Sequence, residues 1–306
     1  MPELPEVETI VSDLVEVLPG KTVTGFDVRL PRRFFVDIVQ PNQYGSELSV
    51  DQVSDFAKKL IGQKIRTIRR VGKLILIEYS RHIQVIHLRL TGQLIFQDSD
   101  DTRIQGGHPN DDFLSSMPSK ASNFIWKFND KSQLFFNDQR KFGYLHMVQK
   151  ENLKDLPSIK LLGVDALSKQ FDIQYLKDRA RRHSRTTVKE FICDQRIVTG
   201  IGNIYSDEAL YIAKIQPQTR LRGLKSSDFR RLHDALIEAL KLGIAYRGTS
   251  AANYLDSHGR EGTMSKHLMV YRRYGKHCKV CTNLIKSIKL GGRTSSYCSN
   301  CQIFLG

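Results

Sequence analysis

Cys278-Lys279-Val280-Cys281 and, sixteen residues further on, Cys298-Ser299-Asn300-Cys301 form two C-x2-C pairs near the end of the chain. Each pair can direct two thiolates at one tetrahedral ion, and the gap between the pairs is long enough for a β-hairpin. Four cysteine ligands fill the coordination shell, so the expected occupant is one structural Zn2+ with no position left for a substrate. A module of about forty residues, 264–306, buries too little apolar surface to stand without such a staple. Between the pairs lies Gly291-Gly292-Arg293-Thr294. Glycines at a hairpin tip let backbone approach another surface closely. Arg293 would there project as a fork suited to phosphate; an ordinary solvated arginine on a turn fits the spacing equally well. The fifth cysteine, Cys193, stands alone in a helical pattern.

Working back from this module, residues 248–263 are rich in Gly, Ser and Asn and read as a flexible loop. The stretch before it is helical, with clear segments at 187–197, 204–214 and 227–246. In the last of these Phe229, Leu232, Leu236 and Leu240 share a face, with Ser226 or Ser227 available as a cap. Before residue 149 strand signals dominate. They cover 64–79, with the apolar run Leu74-Ile75-Leu76-Ile77, then 85–96, 124–128, 133–136 and 144–148, with Asn129-Asp130 as a turn. Many strands joined by short turns predict a sandwich or barrel. Residues 97–120, polar and rich in Asp, Gly and Ser, read as a mobile surface loop. At the start, Val7, Ile10, Val11, Leu14 and Leu18 follow a helical period over 5–18. Pro5 and Glu6 suit the first turn, and Pro19-Gly20 stops the helix.

The 306 residues carry 47 basic and 32 acidic side chains, a formal charge of +15. That excess points to a polyanionic partner, most simply nucleic acid. No apolar run is long enough to span a bilayer, and the first twenty residues lack a signal-peptide pattern, so the expected location is the cytoplasm, in contact with the nucleoid.

The opening Met1-Pro2-Glu3-Leu4-Pro5-Glu6-Val7-Glu8-Thr9 resembles that of the formamidopyrimidine-DNA glycosylases. Gly72-Lys73, His87-Leu88-Arg89-Leu90-Thr91-Gly92, Asp138-Gln139-Arg140-Lys141-Phe142-Gly143, the run from Asp194 to Tyr205 and the cysteine module agree, in the family's order. The resemblance implies an α+β fold: an N-terminal helix plus antiparallel β-sandwich, then a helix-two-turn-helix domain, then a β-hairpin zinc finger. The expected domains are 1–149, 150–263 and 264–306. It implies a monomeric bifunctional glycosylase and abasic-site lyase of base excision repair. Its partner would be double-stranded DNA with oxidised purines or abasic sites, with no membrane involved.

Residue by residue, the resemblance makes Pro2 the nucleophile once Met1 is removed and Glu3 the acid at the sugar ring oxygen. Glu6 becomes a supporting group that binds the amine or a water, or complements the helix dipole. Lys73 and Arg293 become phosphate contacts at the reaction centre. It makes Leu90, Arg140 and Phe142 the residues that fill the hole left by an extruded nucleotide. His87, Arg185, Lys189 and Asn203 become DNA contacts, and Gly248-Thr249-Ser250 a lid over the base. Without the resemblance, Leu90 and Phe142 read as core residues, Pro2-Glu3 as a helix start, and Arg185 and Lys189 as part of a solvated basic face. Leu90 stands where the family has methionine, Gln139 where proline is common and Ala121 where a histidine often contacts phosphate. Leu4 argues against the endonuclease VIII branch, which has glycine there. An oxidised-pyrimidine glycosylase, a non-catalytic lesion-binding protein and a zinc-ribbon RNA-binding protein remain as alternatives, the last leaving the opening block unexplained.

Overall fold

Helix α1, Leu4–Leu14, begins the chain with Val7, Ile10, Val11 and Leu14 buried along one face. The computed structural model describes residues 1–36, 50–107, 116–249 and 262–305. The expected Ser250 and most of the 248–263 loop therefore lie outside the described residues.

Ten strands follow: β1 Val23–Val28, β2 Phe34–Val36, then helix α2 Val50–Leu60, β3 Thr67–Val71, β4 Leu74–Glu78, β5 His82–His87, β6 Gly92–Gln97, β7 Arg103–Gly107, β8 Ser122–Phe128, β9 Gln133–Asp138 and β10 Tyr144–Gln149. They form two five-stranded sheets, ordered β1-β8-β9-β6-β7 and β2-β10-β5-β4-β3. All pairings within them are antiparallel except β2 with β10, which is parallel. Successive side chains point to opposite faces of each strand, and in β4, β6, β8, β9 and β10 nearly all of them are buried on both faces. Leu134 and Phe136 enter the main core beside Phe124, Trp126, Ile86 and the α1 face, while Phe135 packs on the other side of its sheet with Ile95 and Ile125. The buried Gln84 Oε1 accepts bonds from Tyr79 Oη and Trp126 Nε1, both at 2.8 Å, so strands of both sheets share one satisfied polar contact in that core.

Three features of the strand-rich half differ from the sequence reading. The stretch 85–96 is two strands, because residues 88–91 turn and Gly92 N–H donates to Leu88 O at 2.9 Å. Residues 103–107 are strand β7 paired to β6, not loop; composition hid the strand, since only Ile104 in it is a large apolar residue. Within the region where strand signals dominate, Val50–Leu60 is helix α2: Val53, Phe56, Ala57 and Leu60 keep a helical period and pack on the core.

The second half contains α3 Pro157–Lys160, a short parallel pair β11 Val164–Asp165 and β12 Val198–Thr199, α4 Ile173–Arg181, α5 Val188–Cys193, α6 Asn203–Ile212, α7 Ser226–Ala245 and α8 Met264–His267. The hairpin β13 Lys286–Leu290 and β14 Arg293–Tyr297 closes it. Thr187 and Glu190 form a reciprocal cap at the start of α5. Neither Ser226 nor Ser227 caps α7: both lie inside it, and Asp228 Oδ2 instead accepts from Lys225 N–H at 2.7 Å. Leu4 joins Phe191, Ile201, Tyr205, Leu232, Leu236 and Leu240 in this half's core.

By compactness the chain forms two units. One comprises residues 1–2, 6–160 and 247–263; the other comprises 3–5, 161–246 and 264–306. This partition differs from the boundaries expected from sequence for two reasons. Arg247 Nη2 grips both oxygens of Asp13 at 2.7 and 2.6 Å, and Thr249 bonds Glu6, which draws 247–249 to α1. The cysteine module is bonded to α6: Glu208 accepts from the N–H groups of Met269, Val270 and Tyr271 at 2.8, 3.0 and 2.8 Å.

Candidate active site

Chain termini usually fray, but this one is anchored. Met1 is 46% exposed, whereas Pro2 and Glu3 are buried. The Glu3 carboxylate accepts from Gly202 N–H and Ile204 N–H, each at 2.9 Å, and from Tyr205 N–H at 3.3 Å. These are orphan donors at the positive end of α6, whose N-cap Gly202 has no side chain of its own to satisfy them. A residue 199 positions away in sequence thus caps the helix. Leu4 N–H adds a bond to Gly200 O at 3.0 Å. Gly200 has φ +102°, and a Cβ there would lie 2.5 Å from Leu4 Cδ1; only glycine admits this approach. Gln195 fixes the same turn, accepting from Gly200 N–H at 3.0 Å and donating to Ile201 O at 2.6 Å.

Glu6 Oε1 accepts from Thr249 N–H at 2.8 Å and Thr249 Oγ1 at 3.0 Å. Glu6 lies in the first turn of α1, where an acidic side chain complements the helix dipole, and its carboxylate also tethers Gly248-Thr249. Lys73, only 6% exposed, occupies the β3–β4 turn. Arg70 secures that turn, donating to Glu8 Oε2 at 2.6 Å and to Gly72 O at 3.2 Å. His87, at the end of β5, accepts at Nδ1 from Arg89 N–H at 3.0 Å, which leaves Nε2 to carry the proton of the neutral ring. Burial, then the charges of Arg89 and Lys73, hold its pKa down at about 3.

Leu90 and Phe142 are 37% and 44% exposed. The core reading of both residues is therefore overturned, because each sits on a turn rather than inside a strand. The Arg140 guanidinium lies 5.0 Å from the Phe142 ring centroid. One residue that sequence reasoning passed over organises both turns. Asp138, fully buried, accepts from Thr91 Oγ1, from Arg140 N–H at 3.2 Å and from Gly143 N–H at 2.6 Å. Its signal was present: an aspartate whose carboxylate can turn back to N–H groups a few residues on favours such a turn. Gln139 is exposed, and Ala121 is buried, its carbonyl accepting from Asp138 N–H at 2.9 Å.

Arg185 is exposed. Lys189, expected at a DNA surface, is not there: its side chain is 1% exposed and donates to Asp207 Oδ1, to Ser206 Oγ at 2.6 Å and to Asn203 O at 3.1 Å. A lysine of the basic stretch lies inside because a buried carboxylate waits for it. Asn203, at the first turn of α6, donates from Nδ2 to Thr294 O at 2.9 Å. Arg293 is exposed at the start of β14, beside the positive-φ tip Gly291-Gly292. A Cβ on Gly291 would lie 2.9 Å from Glu190 Cγ, the close approach that a glycine tip allows.

The four sulfurs of Cys278, Cys281, Cys298 and Cys301 all lie within 4.8 Å of one another, with Cys278–Cys301 at 3.9 Å and Cys281–Cys298 at 3.4 Å. Zinc–sulfur bonds of about 2.3 Å in a tetrahedron place sulfurs roughly 3.8 Å apart, so the donor set fits one structural zinc. Tyr211 Oη stands 3.5 Å from Cys278 Sγ.

Residues 1–145 match the formamidopyrimidine-DNA glycosylase N-terminal domain, 162–254 the helix-two-turn-helix domain of that enzyme, and 275–303 the zinc finger found in FPG and IleRS. The formamidopyrimidine-DNA glycosylase of Desulforamulus reducens is 37% identical over 305 residues, covering 99% of each chain. This chain belongs to the formamidopyrimidine-DNA glycosylase family. The Bacillus licheniformis formamidopyrimidine-DNA glycosylase is 35% identical over 303 residues and 99% of each chain. Among solved structures, the complex of Lactococcus lactis Fpg with an abasic site containing DNA matches with a TM-score of 0.80 and 28% identity, over 98% of this chain and 99% of that one. As a family member the chain is a DNA glycosylase of base excision repair with one structural zinc at its four cysteines. Among its described residues no helix is long and apolar enough to cross a membrane.

Proposed function

We propose that this glycosylase excises oxidised purines, 8-oxoguanine and formamidopyrimidines, from double-stranded DNA and then cuts the strand, with Pro2 as nucleophile. The observation that carries the reading is the anchored terminus: Pro2 is buried and followed directly by a carboxylate locked to three backbone N–H groups. Removal of Met1 gives Pro2 a secondary amine. A terminal amine titrates near ~7.7–8.0, so a useful neutral fraction is present at neutral pH. The amine nitrogen bonds to C1′ of the damaged nucleotide and the base leaves. The Glu3 carboxylate takes up the proton that the amine loses and passes it to the ring oxygen O4′ as the C1′–O4′ bond opens. The resulting iminium is cationic without a proton and draws electrons from C2′. Loss of a C2′ proton expels the 3′ phosphate, and a second elimination expels the 5′ phosphate, leaving a one-nucleotide gap. Lys73 and Arg293 take the phosphate contacts, as do His87, Arg185 and Asn203, and Leu90, Arg140 and Phe142 fill the vacated stack. The three functional parts are 1–149, 150–263 and 264–306, acting as a monomer on DNA in the cytoplasm, including abasic DNA of the kind bound by the Lactococcus lactis enzyme.

Borohydride reduction with an abasic duplex tests the chemistry. The mature chain should form a covalent adduct that peptide mapping places on Pro2, and Pro2→Gly should lose most of it. An adduct that maps to a lysine, or none, refutes the mechanism. Faster release of thymine glycol than of 8-oxoguanine would refute the lesion class alone.

A further inference from the structure

Helix α6 grips strand β14 at three successive residues. Asn203 Nδ2 donates to Thr294 O at 2.9 Å, Ser295 Oγ donates to Asp207 Oδ1, and Ser296 N–H donates to Asp207 Oδ2 at 2.9 Å. Arg293 opens this strand, two residues before Ser295, which is about 7 Å along an extended chain. Asp207 is 1% exposed, so it cannot itself touch a duplex. Its charge is held inside by Lys189, whose remaining donors are used on Ser206 and on the Asn203 carbonyl. A buried carboxylate with a cation and two further donors is costly to build and rigid once built. Glu208, the next residue, performs a separate task by anchoring the N–H groups of residues 269–271.

We infer that Asp207 is a positioning residue for Arg293: the buried Lys189–Asp207 pair fixes the register of β14 on α6 and thereby holds the Arg293 guanidinium where the departing phosphate needs it. The inference rests on the role proposed above for Arg293. The tip supports it independently, since Gly291 packs against Glu190, whose carboxylate belongs to the cap of α5 just ahead of Lys189. The hairpin is thus fixed at its tip and along β14, while the zinc holds its far end. The zinc closes the module on itself; Asp207 sets where the module's arginine stands. These are separable tasks, because Asp207 is not a metal ligand.

The two eliminations separate them experimentally. On the role proposed for Arg293, a grip on the phosphate that assists the second elimination, formation of the Pro2 adduct and loss of the 3′ phosphate should proceed without it, whereas loss of the 5′ phosphate should slow. The experiment measures borohydride trapping, the ratio of single- to double-elimination products on an abasic duplex, and bound zinc, in the full chain. Arg293→Ala serves as reference, with Asp207→Asn and Ser295→Ala as tests. Asp207→Asn keeps the shape but replaces one acceptor by a donor that faces Ser296 N–H. The milder Ser295→Ala leaves the Lys189 pair intact and so remains informative if Asp207→Asn folds poorly. The expected result is zinc retained, trapping within about twofold of wild type, and the second elimination slowed roughly tenfold in Asp207→Asn and less in Ser295→Ala, since small misplacements of a positioned group cost one to two orders of magnitude. If Arg293→Ala shifts the product ratio and neither test variant does with zinc retained, the inference is overturned. If both test variants lose zinc, Asp207 serves module folding and the inference is likewise overturned. If Arg293→Ala itself leaves the ratio unchanged, the reading beneath the inference fails, and that outcome is distinct from the other two.

Discussion

Gly200→Ala probes the anchored terminus most directly. Gly200 has φ +102°, a region that costs an L-residue about 1–2 kcal/mol. The added Cβ would stand 2.5 Å from Leu4 Cδ1, 2.9 Å from Leu4 Cβ and 3.2 Å from Leu4 Cγ. Overpacking of this kind costs about 1–3 kcal/mol, so the total loss is about 2–5 kcal/mol. Leu4→Ala alone should cost about 2–5 kcal/mol through lost burial and a cavity, since Leu4 is fully buried in the second unit's core. The double variant removes Cδ1 and Cγ, the atoms that the new methyl strikes, but keeps the Leu4 Cβ and the backbone strain. Its loss should therefore fall short of the sum by about 1–2 kcal/mol. Far-ultraviolet circular dichroism during urea unfolding reports the helices, while Trp126, the single tryptophan and a residue of the β-sheet core, reports the other unit in the same titration. The helical transition should move more than the tryptophan transition. Trapping with abasic DNA should drop at least roughly tenfold in Gly200→Ala, because displacing Leu4 displaces Glu3 and Pro2 with it. Additivity of the two substitutions within about 0.5 kcal/mol would refute the proposed collision.

Leu90→Ala and Phe142→Ala should each leave thermal stability within about 0.5 kcal/mol, since both side chains are partly exposed and lie outside the cores. Excision of 8-oxoguanine from duplex should nevertheless fall at least roughly tenfold, and a stability loss of core size, about 3 kcal/mol, would refute the surface assignment. Burial, Arg89 and Lys73 hold the His87 pKa at about 3, below its unfolded value. Between those two pH values the unfolded chain binds a proton that the folded chain does not, so this contribution to stability is fully present above about pH 6.5 and is lost as the pH falls toward 3. Imidazole NMR should show no His87 titration near neutrality; a midpoint above about 6 would refute the assignment.

What the sequence revealed depended on how local each signal was. The helices carry their period within one turn, and the cysteine spacing carries its geometry within four residues, so both were legible. Strand β7 was not, because it is polar and owes its place to pairing with β6, a partner outside its own window. The Leu90 turn was hidden for the opposite reason: five of the eight residues from 83 to 90 are apolar, and the turn at 88–91 is held not only by Gly92 N–H on Leu88 O but also by Thr91 bonding to Asp138, 47 positions away.

Lys189 and Asp138 show the same limit at the level of single side chains. In sequence, Lys189 follows a basic stretch and reads as one more solvated cation, because charge runs usually are. Its burial is decided by Asp207, which is 18 positions downstream and one helix away. Asp138 reads as one letter of a motif, yet its three bonds hold the two turns on which Leu90, Arg140 and Phe142 stand. In both cases the residue types were visible in the sequence, while the long-range bonds of the carboxylates, Asp207 to Lys189 and Asp138 to Thr91, were visible only in three dimensions. A motif therefore locates chemistry better than it locates support. In this fold both supports are buried aspartates, whose loss leaves Leu90, Arg140, Phe142 and Arg293 themselves in place while changing the geometry of those groups.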